Sequence, residues 1–395
     1  MNREVYIVYA KRSPIGKLMG SLSSLSAVEI GTEVVRDILA QLRLMYGNEV
    51  VYDIDEVIVG NVLSCGLGQN PARQILIQCH LPNQIGGFTV NKVCGSGMKA
   101  IICGAQAIQL GEADLVICGG IESMTNAPHF INLRKQHKFG DVNLVDTMVY
   151  DGLIDVYSNK LMGEWAEFLA EELKVSRQEQ DEWSFISHKR AIKATKEGLF
   201  KNEIVPITIK GKRIEYDEGP REDTTIEKLS ALAPFFKKDG TITPGNASQI
   251  SDGAAFVVLA GKNAVDEHHL KPIAKIVGYS SSGLEPKWLF LTPEVAIYKL
   301  LKNINLSLEE IELIEINEAF AAQIVALKKK MNIQESKLNV NGGAIALGHP
   351  LGCSGARIVV TLVHALKNYN KKKGIASLCM GGGNGLAIAV EAIEN

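Results

Sequence analysis

Apolar and polar positions alternate with two periods along the chain. Glu4–Tyr9 has a strand pattern. Ser26-Ala-Val-Glu29 has the form of a capping box, and the helix it opens carries Val28, Val35, Ile38 and Leu42 on one side. Glu56–Gly60 is a short apolar strand, Ser96–Leu110 is helical, and Ala113–Cys118 reads as a buried strand ending at Gly119-Gly120. Strands alternating with helices predict a mainly parallel sheet covered by helices on both faces. From about Ile121 to Ile250 the pattern changes: charge is concentrated there and clean strands are few. Within it, Ser176-Arg-Gln-Glu179 is a second capping box, opening a long amphipathic helix to about Gly198, and Tyr216–Thr225 is polar and loop-like. This stretch reads as an insertion, after which Asp252–Ala260 returns to a buried strand.

The last third echoes the first in four features. Leu313–Asn317 is an apolar strand ending in Asn, as Val57–Asn61 is. Asn339-Val-Asn341 parallels Thr89-Val-Asn91, and Gly352-Cys-Ser-Gly355 opens a helix as Cys94-Gly-Ser-Gly97 does. Each helix is followed by a strand and a glycine cluster, Gly119-Gly120 and Gly381–Gly383, with Cys118 and Cys379 in the two strands. Recurrence in one order predicts two similar α/β halves, the first carrying the insertion.

Composition narrows the classes. The chain has 395 residues, 46% hydrophobic and 22% charged, enough to bury a core without disulfides or metals. Net charge is −2, from 42 basic and 44 acidic residues, which argues against nucleic acid as a partner. No run approaches the ~18 apolar residues of a membrane span. Val5–Ala10 is too short for the core of a signal peptide, and Ala392–Asn395 is no peroxisomal address, so a cytoplasmic location is expected. The seven cysteines include no CxxC pair and are expected as thiols, each a small core residue or a reactive one.

Three segments carry chemistry. In Asn91-Lys-Val-Cys94-Gly-Ser-Gly97 a cysteine sits in a Gly/Ser turn between strand and helix. A helix N-terminus favours thiolate, and the glycines leave N–H groups free to meet an oxyanion. The competing reading is a buried core cysteine. In Asn341–Gly355 a glycine-rich loop fixes His349 between Gly348 and Pro350, making it a candidate base. Cys353, at the helix start, reads as packing, and His80, His129, His137, His188, His268, His269 and His364 read as surface or core residues. In Cys379-Met-Gly-Gly-Gly-Asn-Gly385 a thiol follows the strand Ile375–Leu378, where α/β active sites form. Taken alone, that glycine run could equally be a phosphate cradle. No Walker or dinucleotide fingerprint is present.

Together with Arg12-Ser-Pro-Ile-Gly16, Gly68–Arg73, Gly119–Pro128, Gly245-Asn-Ala-Ser248 and Asn317-Glu-Ala-Phe320, these segments resemble the thiolase family over nearly the whole chain. The resemblance implies a fold of two similar βαβαβαββ core domains in a layered αβαβα arrangement with an inserted loop domain. The corresponding boundaries are 1–120 with 248–270, 121–247, and 271–395. It implies Cys94 as the acylated nucleophile, His349 as its base, and Cys379 as the acid/base acting on the second acyl group. Asn317 would hold a water in one oxyanion hole, and the N–H groups of Cys94 and Gly381 would form the other. Arg221, Ser248 and Met162 match coenzyme A contacts; Leu161, Phe236, Ala319 and Phe320 match residues around the substrate. The implied activity is acetyl-CoA C-acetyltransferase: two acetyl-CoA give acetoacetyl-CoA and CoA through an acyl-cysteine. The implied partners are these CoA thioesters and further copies of the chain, as tetramer or dimer, with no cofactor and no metal.

Two departures bear on chain length. Relatives specialised for acetoacetyl-CoA commonly have His where Leu161 stands, and relatives often have glycines after the Pro-Lys pair, where Trp288–Thr292 runs here. The rival readings are a broader degradative 3-ketoacyl-CoA thiolase, a catalytically inactive acyl-CoA-binding relative, and an unrelated cysteine hydrolase. The joint presence of Cys94, His349, Cys379 and Asn317 speaks against the inactive relative, and the second cysteine with tandem halves against the hydrolase.

Overall fold

The computed structural model describes residues 3–134 and 139–393; His137 and the last two residues of Ala392–Asn395 lie outside them. The first half runs β1 (Val5–Arg12), α1 (Ala27–Tyr46), β2 (Glu56–Gly60), α2 (Pro71–Gln78), β3 (Gly86–Val90), α3 (Ser96–Leu110) and β4 (Leu115–Ser123). Helix α1 starts where its capping box places it. Ser26 Oγ accepts the Glu29 N–H, and the Glu29 carboxylate accepts the Ser26 N–H. Its side with Val28, Val35, Ile38 and Leu42 is buried, each side chain worth about 1.5–3 kcal/mol.

The insertion supplies α4 (Met162–Glu172) and α5 (Arg177–Lys196), and the three two-stranded ribbons among its described residues stay off the main sheet. Strand β5 (Ser251–Gly261) then rejoins the first half. The second half comprises β6 (Ala274–Gly283), α6 (Thr292–Ile304), β7 (Leu313–Ile316), α7 (Ala321–Lys330), α8 (Leu351–Asn368), β8 (Lys373–Met380) and β9 (Asn384–Ala392).

Strands follow the path β7-β8-β9-β6-β1-β5-β4-β2-β3. Among the described residues the halves touch along it only where β1 meets β6, at Tyr6–Lys275 and Ile7–Ala274. Elsewhere they fold over a shared middle layer. Helices α3 and α8 share one core cluster with the inner faces of both half-sheets. Helices α1 and α2 cover the outer face of the first half, and α6 and α7 that of the second. The result is five layers, αβαβα.

The sheet is mixed rather than mainly parallel. The parallel pairs are β2–β3, β2–β4 and β7–β8, the ones joined through helices. Strand β9 returns from β8 by a tight turn, and β5 arrives after the insertion, so both run antiparallel to their neighbours.

Register makes the duplication concrete. Val57 pairs with Ile117 as Leu313 pairs with Gly374, and Ile58 meets Phe88 as Ile314 meets Leu338. Asn61 therefore corresponds to Asn317 and Asn91 to Asn341, as the sequence echo predicts. The cysteine and glycine echoes do not correspond: Cys118 matches Ile375, and the residue matching Cys379 is Glu122. Strand β4 also runs through Gly119-Gly120 instead of ending there. Glycines are needed at that point because a Cβ on Gly119 would lie 2.2 Å from the Ala255 carbonyl, and one on Gly120 2.1 Å from the Gly352 carbonyl. The strand passes directly beneath the start of α8. Cys353 lies in the central core as expected, and all seven cysteines are free thiols.

Candidate active site

The turn ahead of α3 is tied by its own side chains. Asn91 Oδ1 accepts the Val93 N–H at 2.9 Å. Ser96 Oγ accepts the Lys92 N–H at 2.8 Å and donates to the Val93 carbonyl at 2.6 Å. Val93 adopts a φ of +49°, a left-handed conformation that costs a β-branched residue about 1–3 kcal/mol. The chain reverses there and presents Cys94 to a cavity. Gly95 admits no side chain, since a Cβ would lie 2.1 Å from Met380 Sδ.

His349 enters from the loop before α8. Its N–H donates to the Gln249 carbonyl, and Gly348 before it has a φ of +114° with Ser251 packed where a Cβ would stand. The imidazole Nδ1 lies 2.5 Å from Ser354 Oγ, and Ser354 Oγ donates its proton to the Pro350 carbonyl at 2.8 Å. A hydroxyl has one proton, so Ser354 accepts from Nδ1–H, and Nε2 carries the free lone pair. Asn317 Nδ2 lies 3.4 Å from the ring nitrogens, and Asn317 Oδ1 is buried without a partner.

Cys379 stands at the C-terminal end of β8. The turn after it, Gly381–Gly383, points the Gly381 N–H at the sulfur of Cys94, beside the N–H of Cys94 itself. Gly382 and Gly383 have φ of +80° and +82°, and a Cβ on Gly383 would lie 2.3 Å from the Leu284 carbonyl.

Cys94, His349, Cys379 and Gly381 line one cavity of about 180 Å³. Its walls are otherwise mostly apolar, including Met124, Leu153, Phe236, Leu289, Phe290 and Leu351. Burial in such surroundings raises the Cys94 thiol to about 12, against the pull of the two N–H groups. The helix-terminus argument for a resting thiolate is thus overturned: desolvation outweighs the dipole. Burial, with the Arg357 charge nearby, lowers His349 to about 3. Cys379 is raised further, by burial and then by Cys94. The resting site holds two neutral thiols and a neutral imidazole. Charge separates only when a reaction drives it.

Among the substrate contacts expected from sequence, Leu161, Met162, Phe236, Ser248, Ala319 and Phe320 line the same cavity. Arg221 is exposed and is not part of these walls; its N–H donates to His188 Nδ1. Asn317 lies behind His349, fully buried. Phe290 is 1% exposed and faces the cavity, packed edge-on against Phe320 at 5.4 Å between centroids.

Several functional residues were not apparent in the sequence. Ser354 was visible only as part of the small-residue helix start. Glu318 holds four groups, Trp183 Nε1, Ser187 Oγ, Asn339 Nδ2 and the Ile345 N–H, and so ties α5 of the insertion to the His349 loop. Glu122 accepts N–H groups of Val62, Leu63 and Gly352 and the Asn61 amide, fixing the start of α8. Both glutamates lie in segments that carry the resemblance, Asn317-Glu-Ala-Phe320 and Gly119–Pro128, but nothing local shows which groups they bind.

Comparison with known proteins gives a consistent picture. The family model described as "Thiolase, N-terminal domain" matches residues 5–263, and "Thiolase, C-terminal domain" matches residues 270–392. The chain is 46% identical to the acetyl-CoA acetyltransferase of Allochromatium vinosum, over 99% of this chain and 100% of that one. A thiolase from Ascaris suum, solved in complex with coenzyme A, superposes with a TM-score of 0.93 at 44% identity, covering 99% of this chain and 100% of that one. Human mitochondrial 3-ketoacyl-CoA thiolase superposes with a TM-score of 0.95 at 40% identity, covering 99% of each chain.

Proposed function

The chain belongs to the thiolase family, and on that premise we propose that it is an acetyl-CoA C-acetyltransferase, joining two acetyl-CoA into acetoacetyl-CoA and CoA. The observation that carries the reading is one apolar cavity holding two thiols, an imidazole with an unprotonated Nε2, and two N–H groups aimed at the Cys94 sulfur. Curated relatives named acetyl-CoA acetyltransferase support the acetyl class.

In the first half-reaction Cys94 attacks the thioester carbonyl as its proton passes to His349 Nε2. The carbon–sulfur bond to CoA breaks first, a thiolate being a good leaving group, and the departed CoA thiolate then takes the proton of Cys379. This leaves an acetyl group on Cys94, an imidazolium at His349 and a thiolate at Cys379. In the second half-reaction that thiolate removes a methyl proton from a second acetyl-CoA. The C–H electron pair becomes an enolate, whose carbon attacks the acetyl carbonyl on Cys94. Cys94 departs, recovers its proton from His349, and every group is back in its starting form. The oxyanion on the Cys94-bound carbonyl lies within reach of the Cys94 and Gly381 N–H groups, and Asn317 holds a water for the enolate oxygen. Donors placed where charge develops act most strongly in a site without bulk water.

Ser248 and Met162, with Arg221 outside the cavity, are read as coenzyme A contacts. Leu161, Phe236, Ala319 and Phe320 surround the acyl and pantetheine end. No cofactor and no metal enters this scheme; the CoA thioesters are substrates. Among the described residues no helix is long and apolar enough to cross a membrane. Strand β3 ends the sheet path with a half-exposed edge, which supports self-association as dimer or tetramer. Sedimentation tests that point.

The test of the activity is acetoacetyl-CoA with CoA, following loss of the enolate absorbance. Loss that requires CoA and Cys94 supports the reading. Loss without CoA indicates a hydrolase, and no turnover by a folded protein indicates a binder.

A further inference from the structure

Gln323 stands in the first turn of α7, three residues after Phe320 on the connection that carries Asn317. It is completely buried. Neither Nε2 nor Oε1 makes a well-formed hydrogen bond. Other buried amides are held: Asn246 and Asn339 through both ends, and Asn61 and Gln180 through their nitrogens. Among the described residues Gln323 is the only buried amide with both ends open. An unpartnered buried amide is costly and calls for an explanation. The group it addresses is the sulfur of Cys379.

We propose that Gln323 is a positioning residue for Cys379, its amide N–H donating to the sulfur when the acetyl-enzyme leaves that sulfur as a thiolate. The inference rests on the reading of Cys379 as the acid/base. A thiol is a weak acceptor and a thiolate a strong one, so the bond is loose at rest and forms when charge appears. Loose resting geometry that tightens during reaction is ordinary for such groups. The open carbonyl end can accept the S–H once the proton returns. The two ends of one amide thus match the two protonation states of one sulfur. Beside Gln323, the backbone N–H of Cys379 itself faces this sulfur, in an otherwise mostly apolar cavity with a second thiol alongside.

The test uses Gln323→Met, which keeps the shape and removes the donor. Three quantities are read: deuterium uptake into the acetyl methyl of acetyl-CoA in heavy water, the acetyl adduct on Cys94 by mass spectrometry, and the pH midpoint of Cys379 alkylation in a Cys94→Ser background. A lost hydrogen bond to a charged group slows deuterium uptake roughly 10- to 100-fold and moves the alkylation midpoint up by about one pH unit or more. Cys94 acetylation stays within about threefold of wild type, because the bond forms after that step. Unchanged uptake and midpoint in a folded Gln323→Met overturn the proposal. An equal loss of Cys94 acetylation also overturns it, by showing a general structural role. Should the Met variant not fold, Gln323→Leu replaces it: it too removes the donor, so wild-type uptake there overturns the proposal as well. Cys379→Ala separates the two readings. Wild-type uptake in that variant refutes the role of Cys379 itself, whatever Gln323 does.

Discussion

Replacing Ser354 by alanine removes the acceptor of the His349 Nδ1–H and little else. The Pro350 carbonyl keeps two backbone donors, the N–H groups of Cys353 at 3.0 Å and Ser354 at 2.9 Å, so the start of α8 stays capped. Ser354 is 1% exposed and His349 7%, so the Nδ1–H left behind is buried. In the resting enzyme an unmet buried donor costs about 1–3 kcal/mol of stability. During acylation the imidazole becomes an imidazolium, and the lost bond is then charge-assisted, worth about 1.5–3 kcal/mol. At 1.36 kcal/mol per tenfold, acetylation of Cys94 slows by roughly 10- to 150-fold. The loss exceeds that of one bond if the proton moves to Nε2, since the wrong tautomer presents no base. The assay is rapid-quench intact mass after mixing with acetyl-CoA, which reads acylation alone, with urea unfolding of the same sample for stability. Acetylation within about twofold of wild type in a folded variant would refute the tautomer argument and leave Asn317 as the partner that orients His349.

Further expectations follow from the same geometry. Because burial holds the Cys94 thiol near 12, its alkylation requires His349. In His349→Ala, peptide mapping should find iodoacetamide on exposed Cys65 ahead of Cys94. Cys379→Ala should form the acetyl adduct on Cys94 yet make no acetoacetyl-CoA; a folded variant with no adduct would show that the two thiols do not divide the labour. Phe290 closes the cavity beside Phe320, so Phe290→Leu should raise kcat/KM for 3-ketohexanoyl-CoA relative to acetoacetyl-CoA by about 10-fold or more, while Leu161→His shifts it the other way. A ratio indifferent to both would place chain-length selection elsewhere. His349 and His188 are lowered to about 3 and about 4 by burial. The unfolded chain therefore binds protons that the native one refuses below about pH 6.5. Stability is full above that point and falls as pH drops toward these values, by up to about 1.4 kcal/mol per pH unit for each histidine. Urea midpoints between about pH 7.5 and 5 that do not fall would contradict the burial of both rings.

The elements and the three chemical segments were legible in the chain because their causes are local. A capping box sets a helix start by hydrogen bonds three residues apart, so Ser26 and Ser176 marked α1 and α5 at once. Cys94 and His349 sit in glycine-rich turns and Cys379 directly precedes one, and that composition shows directly in the sequence. The echo of Asn61 in Asn317 survived into matching register because both end equivalent strands. Only the tertiary structure decided the rest, because the deciding contacts join residues far apart in the chain. The pairing of Cys379 with Glu122, not of Cys379 with Cys118, depends on strand register, which no cysteine spacing encodes. The sheet proved mixed because hairpin return and insertion set strand direction, not the order of strands and helices. Desolvation inverted the expected thiolate, since burial is a property of the whole cavity and outweighs a helix end. Glu318, Ser354 and Gln323 gained their roles through partners on other elements or at a loop's far side, and a lone polar residue in a sequence does not announce which buried group it will face.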